Sequence, residues 1–413
     1  MIMKFHQLTS HERLAQLVDK HLIDENDATL LNTSYSSIHE KMIENYIGNY
    51  AIPLGLLPKI TVNGTDYVIP MATEEPSVIA AAANGARMFS YGTVTAQAIN
   101  REMIGQVLMH DIEFVEFEQY VIKHESLLIA LGNAAHPSMQ KRGGGLKKIT
   151  VRNLGDKMVS LDLLVDAQEA MGANTVNTMA EAIAVYLRDN GFSQQVDLAI
   201  LSNLATQALV EVRVSLPFNA VEKVGFRNVE IAQKIAQANL YSHIDPYRAT
   251  TENKGIMNGI DAVVMASGND WRAIAAGAHA YASYDGKYTS LSKWQVIDDR
   301  LEGSLTIPLP VGIVGGSIGI VPLAKVNQKL LKVTTAKELA CVIATVGLAQ
   351  NLAALRALVT NGIQAGHMQL QLKSLALAVG AKPTEVTELV QRLAKMPLRN
   401  TETALKLLKE MRN

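Results

Sequence analysis

Four ionisable residues stand where their neighbours suit chemistry better than plain structure: Glu75, Lys254, Asp270 and His367. Together they supply two carboxylates, an ammonium and an imidazole, groups able to stabilise a developing oxyanion and to move protons near neutral pH. Singly, each reads as a surface or capping residue. As a set, each beside Gly, Pro or Ala that permits close approach, they ask for a specific reading. Lys254 and Asp270 share the stretch TENKGIMNGIDAVVMASGNDWRAIAAGAHAYA, beginning at Thr251. It is expected to form two glycine-punctuated turns, each leading into a helix of small residues, which would frame a buried charged site. Pro76 suits the first turn of a helix and puts Glu75 at its entrance, and Asn84-Gly85 is expected to mark a weak point or the end of that helix.

Other segments bear on ligand binding. No G-x-G-x-x-G follows a strand and no Walker A sequence occurs, so the commonest nucleotide cradles are missing. GIVGGSIG (Gly312 to Gly319) has the wrong glycine spacing for a phosphate loop and is read as a structural turn. RGGGLKK (Arg142 to Lys148) exposes backbone N–H groups between cations and serves equally as a phosphate loop or a flexible basic loop. In AMGANTVNTMAEAIAVYL, Val176, Met179, Ala180 and Ile183 form the apolar face of a helix, while Asn174, Asn177 and Glu181 form another, either solvated or facing a polar ligand. Cys341 lies in an apolar run without a nearby histidine, which argues against a cysteine nucleophile such as condensing enzymes use, and no metal site is expected.

These residues need a sizeable scaffold to hold them. The chain has 413 residues, 48% of them hydrophobic, and a formal net charge of -1 without a long basic run, so neither nucleic acid nor a membrane surface is an expected partner. One cysteine and an N-terminus lacking an apolar signal-like run point to the cytoplasm. Leu339 to Leu355 reads as a core helix, and Thr306 to Ala324, broken by three prolines, as buried strand and turn. Strand-like sequence (Gly105 to Ile122), a helix (His124 to Gly132), a strand pair near 153–156, a helix (Asn174 to Arg188) and strands near 196–201 and 208–216 give β-α-β-β-α-β order. The expected fold is α+β: a large mixed domain over 1–101 and 218–362, a ferredoxin-like insertion over 102–217, and a helical cap over 363–413 with helices at His367 to Val379, Pro383 to Lys395 and Thr401 to Met411. Gly362 and Gly366 would be its hinge.

ENYIGNYAIPLGL, MATEEPSVIAAA, AMGANTVNTMAEA, DPYRATTENKGIMNGIDAVVMASGNDWRAIAAGAHAYA and NGIQAGHM fall in the order found in the 3-hydroxy-3-methylglutaryl-CoA (HMG-CoA) reductases, and the chain resembles that family, in particular its soluble bacterial second class. The resemblance implies four-electron reduction of HMG-CoA to mevalonate and CoA with two NADPH, NADH being a possible substitute. It makes Lys254 the oxyanion partner, Glu75 the proton donor, Asp270 the residue that holds and tunes this pair, and His367 the acid that protonates the CoA thiolate. Arg248 matches the arginine that holds the HMG carboxylate, Asn258 and Ser77 match polar contacts to substrate, and Glu44 and Asn45 would lie on the CoA side. The implied cofactor site comprises His136, Arg142, Gly143, Gly144, Gly145, Met171, Gly172, Asn174 and Asn177. NAD-preferring relatives carry an acidic residue where His136 stands, so NADPH is expected. The family's site lies between two subunits, which implies a homodimer or a higher oligomer of dimers. Two alternatives remain: mevalonate oxidation with NAD, and a non-catalytic protein of the same fold that binds CoA or a nucleotide.

Overall fold

The computed structural model describes residues 4–362 and 372–412. It begins with three short helices, α1 (Ser10–Asp19), α2 (Glu25–Thr33) and α3 (Ser37–Met42), whose N-caps Thr9, Asp24 and Ser36 each accept a bond from a first-turn N–H. The hairpin of β1 (Leu54–Val62) and β2 (Thr65–Ala72) turns at Asn63-Gly64, both at positive φ as a two-residue turn requires. Helix α4 (Val78–Phe89) and strand β3 (Thr93–Ala98) follow. Contrary to expectation, α4 runs straight through Gly85. A Cβ there would overlap the Ala349 carbonyl, so this glycine serves close helix packing and not a helix end.

The chain then builds a four-stranded antiparallel sheet from β4 (Glu102–Met109), β5 (Gly145–Gly155), β6 (Met158–Asp166) and β7 (Val196–Ser202), in the order β5-β6-β4-β7. Helices α5 (Phe114–Ala134), α6 (Pro137–Lys141) and α7 (Ala173–Leu187) connect these strands. This is the split βαβ arrangement of ferredoxin-like folds. Val107, Leu161 and Leu163 of the sheet form one core with Val176, Met179, Ala180 and Ile183 of α7. Two expectations for this region fail. The strand-like reading of 105–122 stops at Met109, because the apolar residues from Phe114 onward, including buried Phe117 and Val121, continue at helical spacing into α5. Strand β8 (Leu209–Pro217), placed with the insertion by sequence, instead pairs with β3 and with β10 (Arg300–Pro308) in a second sheet, β3-β8-β10-β9.

That second sheet, completed by β9 (Ser292–Ile297), packs with α8 (Asn228–Ile244), α9 (Pro246–Ala266), α10 (Trp271–Ala282), α11 (Pro322–Leu331) and α12 (Ala336–Leu358) in the main core. Helix α12 is long and apolar enough to cross a membrane, yet 89% of its most apolar window is buried inside the protein, as expected of a core helix. The last segment is helical over 372–378, Val386–Ala394 and Thr401–Arg412 and has its own small core of Leu372, Leu389, Leu393 and Leu408. Its middle helix starts three residues later than Pro383, after a turn over 383–385.

Candidate active site

Asp245 caps α9 by accepting from the Tyr247 and Arg248 N–H groups, and Pro246 at the first helical position leaves no stranded donor. The helix then passes through Gly255 without a break, which places Lys254 in a helix interior and not on the expected turn. Burial of Ile256, Met257, Ile260, Val263 and Val264 along its inner face offsets the roughly 1 kcal/mol that a mid-helix glycine costs. Lys254 Nζ donates to Glu75 Oε2 at 2.9 Å, and the Ser77 hydroxyl donates to Glu75 Oε1 at 3.1 Å. Glu75 sits on the turn between β2 and α4, its own N–H bonded to Thr73 Oγ1. The pair joins an acid–base carboxylate to a cation, as the sequence suggested. It is not buried, however: the Lys254 side chain is 62% exposed and that of Glu75 38%.

Asn258 and Asp261 continue the Lys254 face of α9 at helical spacing and are partly buried. Asp261 was not anticipated. Its Oδ1 is buried without a partner among the described residues, and burial pushes its carboxyl up to about 7. Arg248, one and a half turns before Lys254, donates to Glu252 Oε2 at 3.0 Å.

Asp270 does not join this pair. Its carboxylate caps α10, accepting from the Arg272 and Ala273 N–H groups, and meets Arg272 Nε at 3.3 Å. The cause is plain from the helix: twelve residues of α9 separate Lys254 from its C-terminal Ala266, a rise of roughly 18 Å. Within one chain Lys254, midway along α9, therefore stands well away from Asp270, which follows the C-terminal end of that helix.

Asp270 instead lines a cavity of about 680 Å³ walled by the N-terminal turn of α7, the 268–272 turn and the 314–318 loop. The walls are tied together. The Asn269 side-chain amide exchanges two bonds with the Gly312 backbone at 2.7 and 3.0 Å, and Ser317 Oγ donates to the Gly268 carbonyl. Arg101 donates to the carbonyls of Gln168 and Ala170, holding the segment that enters α7. Of the residues expected at a cofactor, His136, Arg142, Met171, Gly172 and Asn174 lie on the cavity. Gly172, the N-cap of α7 at φ 91°, has no competing side-chain cap, so the first-turn N–H groups and the helix dipole face the cavity with Arg142 and Arg272 nearby. These features fit a phosphate-bearing cofactor.

Other expectations are redirected. Asn177, one turn further into α7 than the residues that line the cavity, turns to the sheet, its Oδ1 accepting from Leu201 N at 2.8 Å. Gly143, Gly144 and Gly145 do not line the cavity: Gly144 and Gly145 are packed against Asp166 and Asn133, which leaves no room for side chains. Glu44 and Asn45 occupy an exposed turn, Asn45 at φ 57°. His367 and Gly366 lie outside the described residues. Conversely, the loop Val314 to Ile318, read as a structural turn, lines the cavity, as do Trp271 and Arg272. The Gly315-Gly316 pair, both at positive φ in the structure, was the available signal, but glycine spacing alone pointed to no known cradle.

A family model described as hydroxymethylglutaryl-coenzyme A reductase matches residues 9–372. The chain is 39% identical to the 3-hydroxy-3-methylglutaryl-coenzyme A reductase of Archaeoglobus fulgidus, over 99% of this chain and 94% of that one. It is 33% identical to a probable reductase of the same name from Borreliella burgdorferi, over 90% and 86% of the two chains. A structure of the class II 3-hydroxy-3-methylglutaryl-CoA reductase from Streptococcus pneumoniae bound to NADPH in open conformations superposes with a TM-score of 0.76 at 42% identity, covering 97% of this chain and 99% of that one. The α+β fold with a cation–carboxylate pair on one side and an anion-binding cavity on the other is thus that of a reductase, and the chain belongs to the hydroxymethylglutaryl-coenzyme A reductase family.

Proposed function

We propose that this chain reduces HMG-CoA to mevalonate and free CoA, consuming two NADPH, on a site shared by two copies of the chain. The observation that carries the reading is the Lys254–Glu75–Ser77 cluster midway along α9, with Asp270 and the cofactor-sized cavity beyond its C-terminal end. Bound in that cavity, the dihydronicotinamide supplies hydride. Lys254 stabilises the negative charge that hydride addition puts on the thioester oxygen, and Glu75 delivers the proton that quenches it. Ser77 keeps the carboxyl oriented. Asn258 lies one turn from Lys254 to contact the acyl group, and Arg248 receives its distal carboxylate. Return of that proton to the Glu75 carboxylate lets the carbon–sulfur bond break, leaving an aldehyde for the second reduction and CoA as a thiolate, which His367 protonates.

NADPH is favoured over NADH by Arg142 and His136 on the cavity, since a cation and an imidazole tolerate a 2'-phosphate that an acidic residue would repel. The separation of Lys254 from Asp270 along α9 supports a homodimer, in which the 102–207 segment and Asp270 of one chain face the Lys254–Glu75 pair of the other. In that arrangement Asp270 holds the ammonium from across the interface, and the exposure of the pair is lost on assembly. Glu44 and Asn45 then fall on the CoA side. Such an enzyme acts in the cytoplasm, on a CoA thioester that enters the mevalonate route to isoprenoids.

The reaction balance provides the test. Converting a thioester to a primary alcohol takes two hydrides and releases one thiol, so NADPH oxidation and free thiol, measured in the same HMG-CoA reaction, should stand at two to one. A ratio of one, or NADPH oxidation without thiol release, refutes the assignment.

A further inference from the structure

Glu252 lies on α9 four residues after Arg248, and its side chain is 1% exposed. A carboxylate this deep is costly unless its oxygens are fully bonded. Here they are. Oε1 accepts from Asn239 Nδ2 at 2.7 Å, Ser292 Oγ at 3.2 Å, and Ser290 Oγ and Asn351 Nδ2 at 3.3 Å. Oε2 accepts from Ser242 Oγ at 2.8 Å and from Arg248 Nη2 at 3.0 Å. The neutral donors come from α8, from the segment entering β9 and from α12, so three elements close around one point of α9. A carboxylate offers about four lone-pair sites, and the neutral donors fall unevenly on them: four on Oε1, and on Oε2 Ser242, whose single hydroxyl proton also faces the Asn239 carbonyl at 2.6 Å. Arg248 thus completes Oε2 of a carboxylate already anchored through Oε1, and Glu252 is the one hydrogen-bond partner of the Arg248 guanidinium among the described residues.

We propose that Glu252 is a positioning residue: its caged carboxylate fixes the planar Arg248 guanidinium by one nitrogen, so that the remaining N–H groups meet the distal carboxylate of the acyl substrate in a set orientation. The inference rests on the reading of Arg248 as the holder of that carboxylate. A pre-ordered guanidinium binds without first losing rotamer freedom, which places the benefit in substrate affinity.

The experiment measures KM and kcat for HMG-CoA in Glu252→Gln, Arg248→Ala and the double variant, with melting temperatures to establish folding. Loss of a charge-assisted bond to a fixed group should raise KM about tenfold in Glu252→Gln, with the change falling on KM and not on kcat. Arg248→Ala should raise KM further, and the double variant should be no worse than Arg248→Ala alone, because Glu252 acts through Arg248. Should Glu252→Gln fail to fold, Ser242→Ala loosens the cage without removing the charge and should raise KM by a smaller factor in the parent but not in the Arg248→Ala background. An unchanged KM in Glu252→Gln, with Arg248→Ala raised, overturns the inference while leaving Arg248 in its role. KM effects that multiply in the double variant also overturn it. An unchanged KM in Arg248→Ala defeats both.

Discussion

Replacing Lys254 with alanine should lower kcat for HMG-CoA-dependent NADPH oxidation by about a thousandfold, with folding intact. The magnitude comes from charge. An ammonium about 4 Å from an oxyanion is worth on the order of 4 kcal/mol at an effective dielectric near 20, and about 1.4 kcal/mol corresponds to each factor of ten in rate. The fold of the single chain has little stability at stake, because there the ion pair with Glu75 is largely exposed, and exposed pairs contribute about 0–1 kcal/mol. The measurement is a steady-state rate beside a thermal melt. A variant that retains the parent rate would remove Lys254 from the mechanism; one that loses rate only because it unfolds would show it in the melt.

Glu75→Gln is the second large effect, expected to cost kcat between about a hundredfold and ten-thousandfold, the range typical of removing a general acid. Glutamine preserves the length of the side chain, and its single amide oxygen can replace one of the two carboxylate oxygens, accepting from Lys254 or from Ser77 but not from both in their present positions. It cannot release a proton to the reacting oxygen. KM for HMG-CoA should change little, since Glu75 acts on the developing alkoxide and not on the bound thioester. The check is a kcat and KM comparison at several pH values: the parent should show a pH-dependent limb that Glu75→Gln lacks. If the variant keeps both the rate and that limb, another group is the acid.

Much of this arrangement was legible in the residues. The β-α-β-β-α-β order, the Asn63-Gly64 hairpin and the core face of α7 followed from spacing and turn chemistry, which depend on near neighbours in the chain. What misled were glycines and helical continuity. Gly255 and Gly85 looked like breaks, yet both sit inside helices, one offset by a strongly buried inner face and the other required by the approach of α12. Gly144 and Gly145, in a stretch open to reading as a phosphate loop or a flexible basic loop, are packed against Asp166 and Asn133, whereas the 314–318 loop, dismissed as a turn, lines the cavity. Asn177 lay beyond sequence reasoning because its partner, the Leu201 backbone, is set by how α7 seats on β7. Asp270 is the most instructive case. Its closeness to Lys254 in sequence suggested closeness in space, but both belong to a helix–turn–helix whose first helix keeps them apart.

That separation leads to the most direct test of the account, subunit exchange between two inactive variants. Lys254→Ala and Asp270→Asn homodimers, each nearly inactive, are mixed, unfolded and reassociated together, and HMG-CoA-dependent NADPH oxidation is measured. If each site takes Lys254 from one chain and Asp270 from the other, half of the reassociated dimers are mixed and one of the two sites in each is intact, so activity should return to about a quarter of the parent value. Activity that stays at the level of the separate variants would contradict a site shared between two chains.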